Sequence, residues 1–279
     1  MVFTGWNVFL TCFFVSRIVN ERGTMRILIT NDDGIQSPGL EALVRALHEK
    51  HQVIVAAPAA QQSAKAHAIT VRERLYVDEY PPLQEAYGIK ALAISGTPAD
   101  TVKLYMEGII QRDPAVKPEL VVSGINDGSN VGTDILYSGT IGAATEGYVQ
   151  GISALAVSLD YNAEYGFDVV AREVAARLEL LFPAGCEKKL LNVNFPKRLS
   201  SQPKWLWCRQ GVRDYANAYQ PHHDEAGRLY YVVGGGPLDG GNQEDTDVMV
   251  SAGGNIAITP LQLERTNYEK LCLGTELTM

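Results

Sequence analysis

The sequence predicts an α/β fold: a doubly wound, mostly parallel sheet followed by a β-rich C-terminal extension. Three observations carry that prediction. Short apolar runs alternate with helical patterns from Arg26 to about Asn194, as successive βαβ units require. The runs are apolar throughout instead of alternating with polar residues, which marks strands covered on both faces. After Pro196 the texture changes to Gly, Pro, Tyr and polar residues, with short alternating runs.

Each element has a local reason. Arg26-Ile27-Leu28-Ile29-Thr30 is a clean strand and leads into the loop Asn31-Asp32-Asp33-Gly34. Ser37 then stands where a helix cap belongs, with Pro38 at the first helical position and Leu40, Leu43, Val44 and Leu47 on one face. Val53-Ile54-Val55-Ala56-Ala57 is the second strand, stopped by Pro58. Residues 91–95 form another, and Thr97-Pro98 opens a helix carrying Val102, Leu104, Tyr105 and Ile109. Leu120-Val121-Val122-Ser123 repeats the strand pattern. A helix of small residues spans 139–150, then come a strand at 155–159, a longer helix at 167–182 and a strand at 190–194. Beyond Pro196, Gly234-Gly235-Gly236-Pro237 is a turn-rich break, and 228–233 and 255–259 read as hairpin strands. The alternation is that of a Rossmann-like sheet.

Three segments result. Residues 1–24 form an apolar, aromatic leader that does not match the rest. It lacks the basic start and small-residue cleavage site of a secretory signal, and it is too short and polar for a membrane span. Met25 directly precedes the first strand, so the leader reads as an over-extended start or loose tail, with a membrane-touching leader as the alternative. Residues 25–196 form the α/β domain. Residues 197–279 form the extension, too open in composition for a second core and suited to completing a neighbouring subunit.

Composition narrows the function classes. Hydrophobic residues make up 46% of the 279, enough to exclude a disordered chain. Lys+Arg 24 against Asp+Glu 32 gives a net charge of −8, which argues against binding a nucleic-acid polymer. The four cysteines, Cys12, Cys186, Cys208 and Cys272, show no CxxC spacing, which argues against a zinc site and suits a reduced, cytoplasmic setting.

In an open parallel sheet, ligands bind beyond the carboxyl ends of the strands. The first strand ends in Asp32-Asp33-Gly34, where a sharp turn at glycine lets adjacent carboxylates address one point. Carboxylates that close repel unless a proton or cation lies between them, and a hard divalent ion answers that. An Asp-Gly turn with solvated acids is the alternative. Ser123-Gly124-Ile125-Asn126-Asp127-Gly128-Ser129-Asn130 follows a neighbouring strand and offers oxygen ligands and backbone N–H groups, or is an ordinary loop. Both loops fall on one sheet edge if the strands are parallel. The loop after the second strand holds Ser63, Lys65 and His67. Lys65 is a phosphate contact or a solvated lysine; His67 is an acid for a leaving group or a polar lid residue. Ser138-Gly139-Thr140 opens the small-residue helix, whose positive end suits a phosphate, though a plain cap has the same sequence. No GxxxxGK[ST], GxGxxG or GxSxG is present, against a P-loop NTPase, a dinucleotide site and an α/β-hydrolase respectively.

Taken in order, these motifs resemble the SurE family, the stationary-phase survival proteins. The resemblance rests on Asn31-Asp32-Asp33-Gly34, Ser123-Gly124-Ile125-Asn126 with Gly128 and Asn130, and Tyr137-Ser138-Gly139-Thr140. Ser95-Gly96-Thr97-Pro98-Ala99-Asp100, Asn192-Val193-Asn194-Phe195-Pro196, Thr246-Asp247 and Ile258-Thr259-Pro260-Leu261 extend it from Met25 to about Leu263. It implies a 5′/3′-nucleotidase hydrolysing nucleoside monophosphates with one divalent ion, Mg²⁺ or Mn²⁺. It implies metal ligands at Asp32, Asp33, Ser63 and Asn126. The family often shows Arg-Ser-Gly where this chain has Gln62-Ser63-Ala64. It also implies a homodimer or homotetramer with an exchanged C-terminal arm. Asp33 is then the catalytic carboxylate, and Asn130, Ser138, Gly139 and Thr140 hold the phosphate oxygens. The alternatives are a nucleotide-sensing module without turnover and a haloacid-dehalogenase-type phosphatase. The latter wants Asp-x-Asp, whereas here the acids are adjacent.

Overall fold

The computed structural model describes residues 23–112 and 116–268. The leader at 1–24 lies outside them except for Gly23 and Thr24. The elements in chain order are β1 (Arg26–Thr30), α1 (Pro38–Leu47), β2 (Gln52–Pro58), β3 (Val77–Glu79), α2 (Pro81–Tyr87), β4 (Lys90–Ile94) and α3 (Pro98–Leu104). Then come β5 (Leu120–Asp127), α4 (Gly139–Val149), β6 (Ser153–Leu159), α5 (Phe167–Leu181) and β7 (Leu190–Phe195). The extension holds β8 (Trp205–Trp207), β9 (Asp214–Tyr215), β10 (Tyr219–His223), β11 (Leu229–Val233), β12 (Pro237–Leu238), α6 (Asp247–Ala252) and β13 (Ile256–Leu261).

The main sheet has nine strands in the order β3-β4-β2-β1-β5-β6-β7-β13-β8. The six strands from β4 to β7 are mutually parallel. Alternate residues of each strand point to opposite faces. Ile27 and Ile29 meet α1 and α5 on one side, while Leu28, Val121 and Ala154 meet α3 and α4 on the other. This is the predicted doubly wound sheet.

Local sequence sets the helix starts. Thr97 caps α3 in a reciprocal capping box with Asp100, at 3.1 and 2.9 Å. Ser37 occupies the cap position of α1 without a side-chain bond; Pro38 and the amphipathic face suffice there. In α4, a Cβ on Gly147 would stand 2.6 Å from Val121 Cγ2, so this helix of small residues lies unusually close to the sheet.

The extension divides in two. The 255–259 run, expected in a hairpin, instead enters the main sheet as β13, antiparallel to β7 and parallel to β8. Its residues Ile256, Ala257 and Ile258 are buried, so apolar burial decides its place. The 228–233 run does form a hairpin: β11 pairs with β10, and the two project as a ribbon. The segment 77–87 carries β3 and α2, which the sequence pattern did not reveal.

Candidate active site

The sheet reverses its winding between β1 and β5, with β2 and β4 to one side and β6 and β7 to the other. The loops leaving β1 and β5 therefore part at this point and open a crevice. Both predicted oxygen-rich loops begin here.

The first loop is a closed turn. Asn31 is buried, its Nδ2 donates to Gly34 O at 2.8 Å, and Gly34 N donates to Asn31 Oδ1 at 3.2 Å. Gly34 takes φ +95°, which a side chain would resist. Ile35 N donates to Pro58 O at 2.8 Å and ties the turn to β2. Asp32 and Asp33 thus project from a rigid frame. Asp32 is buried, and its carboxylate accepts from the Thr140 hydroxyl. Asp33 is half-buried, and its Oδ2 accepts from Asp127 N at 3.3 Å.

Burial pushes the Asp32 carboxyl up to about 6; the Thr140 bond opposes this and the Asp33 charge adds to it. Burial also raises Asp33, with the Asp127 amide opposing and the Asp127 charge adding. Adjacent carboxylates that both resist ionisation form a site short of positive charge.

The second loop is aimed by a bulge. The β5–β6 register slips between Ser123 and Asn126. A Cβ on Gly124 would stand 2.3 Å from Val157 O, so only glycine passes there. Asn126 commits its Nδ2 to Gly128 O at 2.7 Å, which orients its oxygen. Asn130 is buried under a bracket from β6 and β7. Its N donates to Asn194 Oδ1 at 2.7 Å and its Nδ2 to Ser158 Oγ at 2.8 Å. Its carbonyl accepts from Asn192 and Asn194 at 2.8 and 3.0 Å.

Helix α4 closes the crevice. Ser138 caps it, its Oγ accepting from Ile141 N at 3.2 Å. A Cβ on Gly139 would lie 2.8 Å from Asp32 Cβ and 2.9 Å from Asp32 Oδ2, so the absence of one lets the helix start reach the carboxylate. Ser63 lies on the loop after β2, which docks through Gln62 N to Asp32 O at 2.7 Å. The Ser63 hydroxyl is exposed and accepts from Gln61 Nε2 at 3.1 Å.

The candidate donors Asp32, Asp33, Asn126 and Ser63 are all oxygen: two carboxylates, one amide and one hydroxyl. Among the described residues no group of three or more His, Cys, Asp or Glu is placed to hold a metal ion. A pair of burial-raised carboxylates fits a hard divalent cation, which often takes only one or two carboxylates.

A family model described as "Survival protein SurE" matches residues 27–217, which include every residue named in this crevice. The chain belongs to the SurE family. It is 41% identical over 248 residues to the 5′-nucleotidase SurE of Syntrophomonas wolfei, covering 88% of this chain and 91% of that one. It is 40% identical over 250 residues to the 5′-nucleotidase SurE of a Synechococcus strain, covering 88% and 94%. The crystal structure of the SurE protein from Aquifex aeolicus superposes with a TM-score of 0.72 at 33% identity, covering 88% of this chain and 96% of that one.

Within this candidate site, Asp32 meets Gly139 and Thr140 at the start of α4, and Asp33 meets the backbone of Asp127, the neighbour of Asn126. Ser63 arrives on a docked loop, and Asn130 sits beneath as a braced residue. Thr140 spends its hydroxyl on Asp32. Lys65 is exposed. His67 turns to Glu146. Sequence reasoning quoted the motifs that contain Asn31, Asp127, Asn192 and Asn194 without giving these residues their structural roles, and it did not single out Glu146. The Asn192-Val193-Asn194 pattern held a signal of its own: two amides at period two on a strand otherwise apolar.

Proposed function

We propose that this SurE chain is a divalent-metal-dependent 5′/3′-nucleotidase that hydrolyses nucleoside monophosphates. One observation carries the reading: at the winding reversal of the sheet, buried Asp32 abuts the start of α4 and half-buried Asp33 stands next to it. Asp32, Asp33, Ser63 and Asn126 would hold one Mg²⁺ or Mn²⁺, which when bound supplies charge neutralisation for phosphate and an acidified water. The chain's own residues do the rest. Asp33, the less buried carboxylate, takes the attacking water's proton on a carboxylate oxygen. Thr140 holds Asp32 in place and opposes the effect of burial on its ionisation. Asn130, Ser138 and Gly139, with the backbone amides of the first turn of α4, orient the non-bridging oxygens against the positive helix end. Asn31 and Gly34 keep both carboxylates from drifting.

The reading extends to a cytoplasmic homodimer or homotetramer joined through the C-terminal arm. The exposed ribbon of β10 and β11, apolar along β11, supports the assembly. The deciding assay is phosphate release from a nucleoside monophosphate with and without a chelator. Asp33→Ala is expected to abolish turnover while leaving the circular dichroism spectrum intact. Wild-type turnover in that variant, or chelator-insensitive release, overturns the reading.

A further inference from the structure

His67 stands outside the carboxylate cluster, yet it is firmly held. Its Nε2 lies 2.7 Å from Oε2 of Glu146, whose side chain is only 4% exposed. A carboxylate that deep is costly unless it is paired. Glu146 also accepts from Gln150 Nε2 at 2.8 Å and faces Lys103 Nζ at 3.5 Å. Burial pushes Glu146 upward, but the bonds from His67 and Gln150 and the Lys103 charge outweigh it and hold the carboxyl below its ordinary value. The group is an ionised anchor.

The strap it anchors is the one that carries Gln61 and Ser63. The strap lies directly on α4: a Cβ on Gly142 would stand 2.0 Å from Ala66 O and 3.1 Å from His67 Cα. Ala64 and Ala66 take φ +57° and +52°, a left-handed backbone that alanine adopts only when its surroundings impose it. Backbone bonds fix the strap at Gln62 N to Asp32 O, 2.7 Å, and at Ala66 N to Tyr137 O, 2.9 Å. The His67 backbone lies beside Gly142, and its ring reaches one helical turn further, to Glu146. That direction leads away from Gly139 and Asp32.

We propose that Glu146 is a positioning residue: through His67 it clamps the strap onto α4 and so sets Ser63 and Gln61 over the Asp32–Asp33 pair. His67 acts through the backbone it holds and donates no proton to a leaving group. The inference rests on the nucleotidase reading only in giving Ser63 a metal to meet.

Hydrogen exchange on the metal-free full chain tests the clamp without that reading. In His67→Ala and Glu146→Ala, the amides of Gln62 and Ala66 are expected to exchange about tenfold faster or more, with β1 and β5 unchanged. Glu146→Gln keeps an acceptor for His67 and is expected to stay close to wild type. His67→Ala removes a partly exposed side chain and keeps the fold testable if Glu146→Ala does not fold. Mn²⁺ binding followed by electron paramagnetic resonance is expected to weaken about 10–100-fold in the alanine variants. Unchanged strap exchange in folded His67→Ala overturns the clamp. A loosened strap with unchanged Mn²⁺ affinity overturns its service to the metal ligands. Absence of Mn²⁺ binding in the wild type instead overturns the nucleotidase reading and leaves the exchange result standing.

Discussion

A missing methyl group at Gly139 decides how near α4 comes to Asp32. Alanine there would place a carbon 2.8 Å from Asp32 Cβ, inside any normal contact. Gly139→Ala is expected to push the helix start off the carboxylate and cost about tenfold or more in turnover, with the sheet unchanged. Steady-state kinetics beside a circular dichroism spectrum checks it; unaltered turnover would show that the helix withdraws freely. At this scale the sequence was legible where chemistry shows in residue type. Two adjacent aspartates before a glycine announce a shared charge problem. Asn31 announces nothing, because its work is to close a turn with its own side chain. Asp127 contributes its backbone amide to Asp33, which no side-chain pattern records.

At the scale of elements, β7 is as much a part of the site as the loops are. Asn194 exchanges two hydrogen bonds with Asn130, in the interior. Asn194→Ala leaves buried groups unsatisfied and should cost about 1–3 kcal/mol. For a chain of this size that is a fall of roughly 2–4 °C in melting temperature per kcal/mol, readable by calorimetry. Glu146 ties α4 to pH. Its carboxyl, held below the ordinary 4.5, contributes stability that is present above that value and lost as pH falls through the lower folded one. Melting temperatures of wild type and Glu146→Gln should therefore converge as pH drops below 4.5; a gap constant down to pH 3 would refute this. The strands from β1 to β7 in the parallel block were readable because each is a mostly apolar run, interrupted in β7 by Asn192 and Asn194. β3 and β8 were not, being three residues long. Pro81-Pro82 reads as a break, yet it starts α2, since proline suits the first turn. The place of β13 depends on pairing with β7, far away in sequence, and local periodicity is blind to that.

The whole molecule leaves one surface unexplained by its own core. Every residue of β10 and β11 is exposed, with Tyr219 at 68% and Val233 at 75%. β11 is apolar along its whole length, as the proposed association through this arm requires. Replacing residues 216–236 by a short turn should yield a monomer by light scattering while the main melting transition survives. A full-length chain already monomeric at high concentration would remove the ribbon's purpose. Composition had hinted at such an arm without showing that β8 and β13 leave it for the main sheet. The small-residue character of α4 has a consequence of another kind. Three of its eleven residues are glycine, each costing about 1 kcal/mol in a helix, so the segment has little tendency to coil unaided. It holds its shape because the sheet, the strap and Asp32 receive it. A chain whose sheet has not yet formed is therefore expected to lack this helix, and with it the close approach of Gly139 to Asp32.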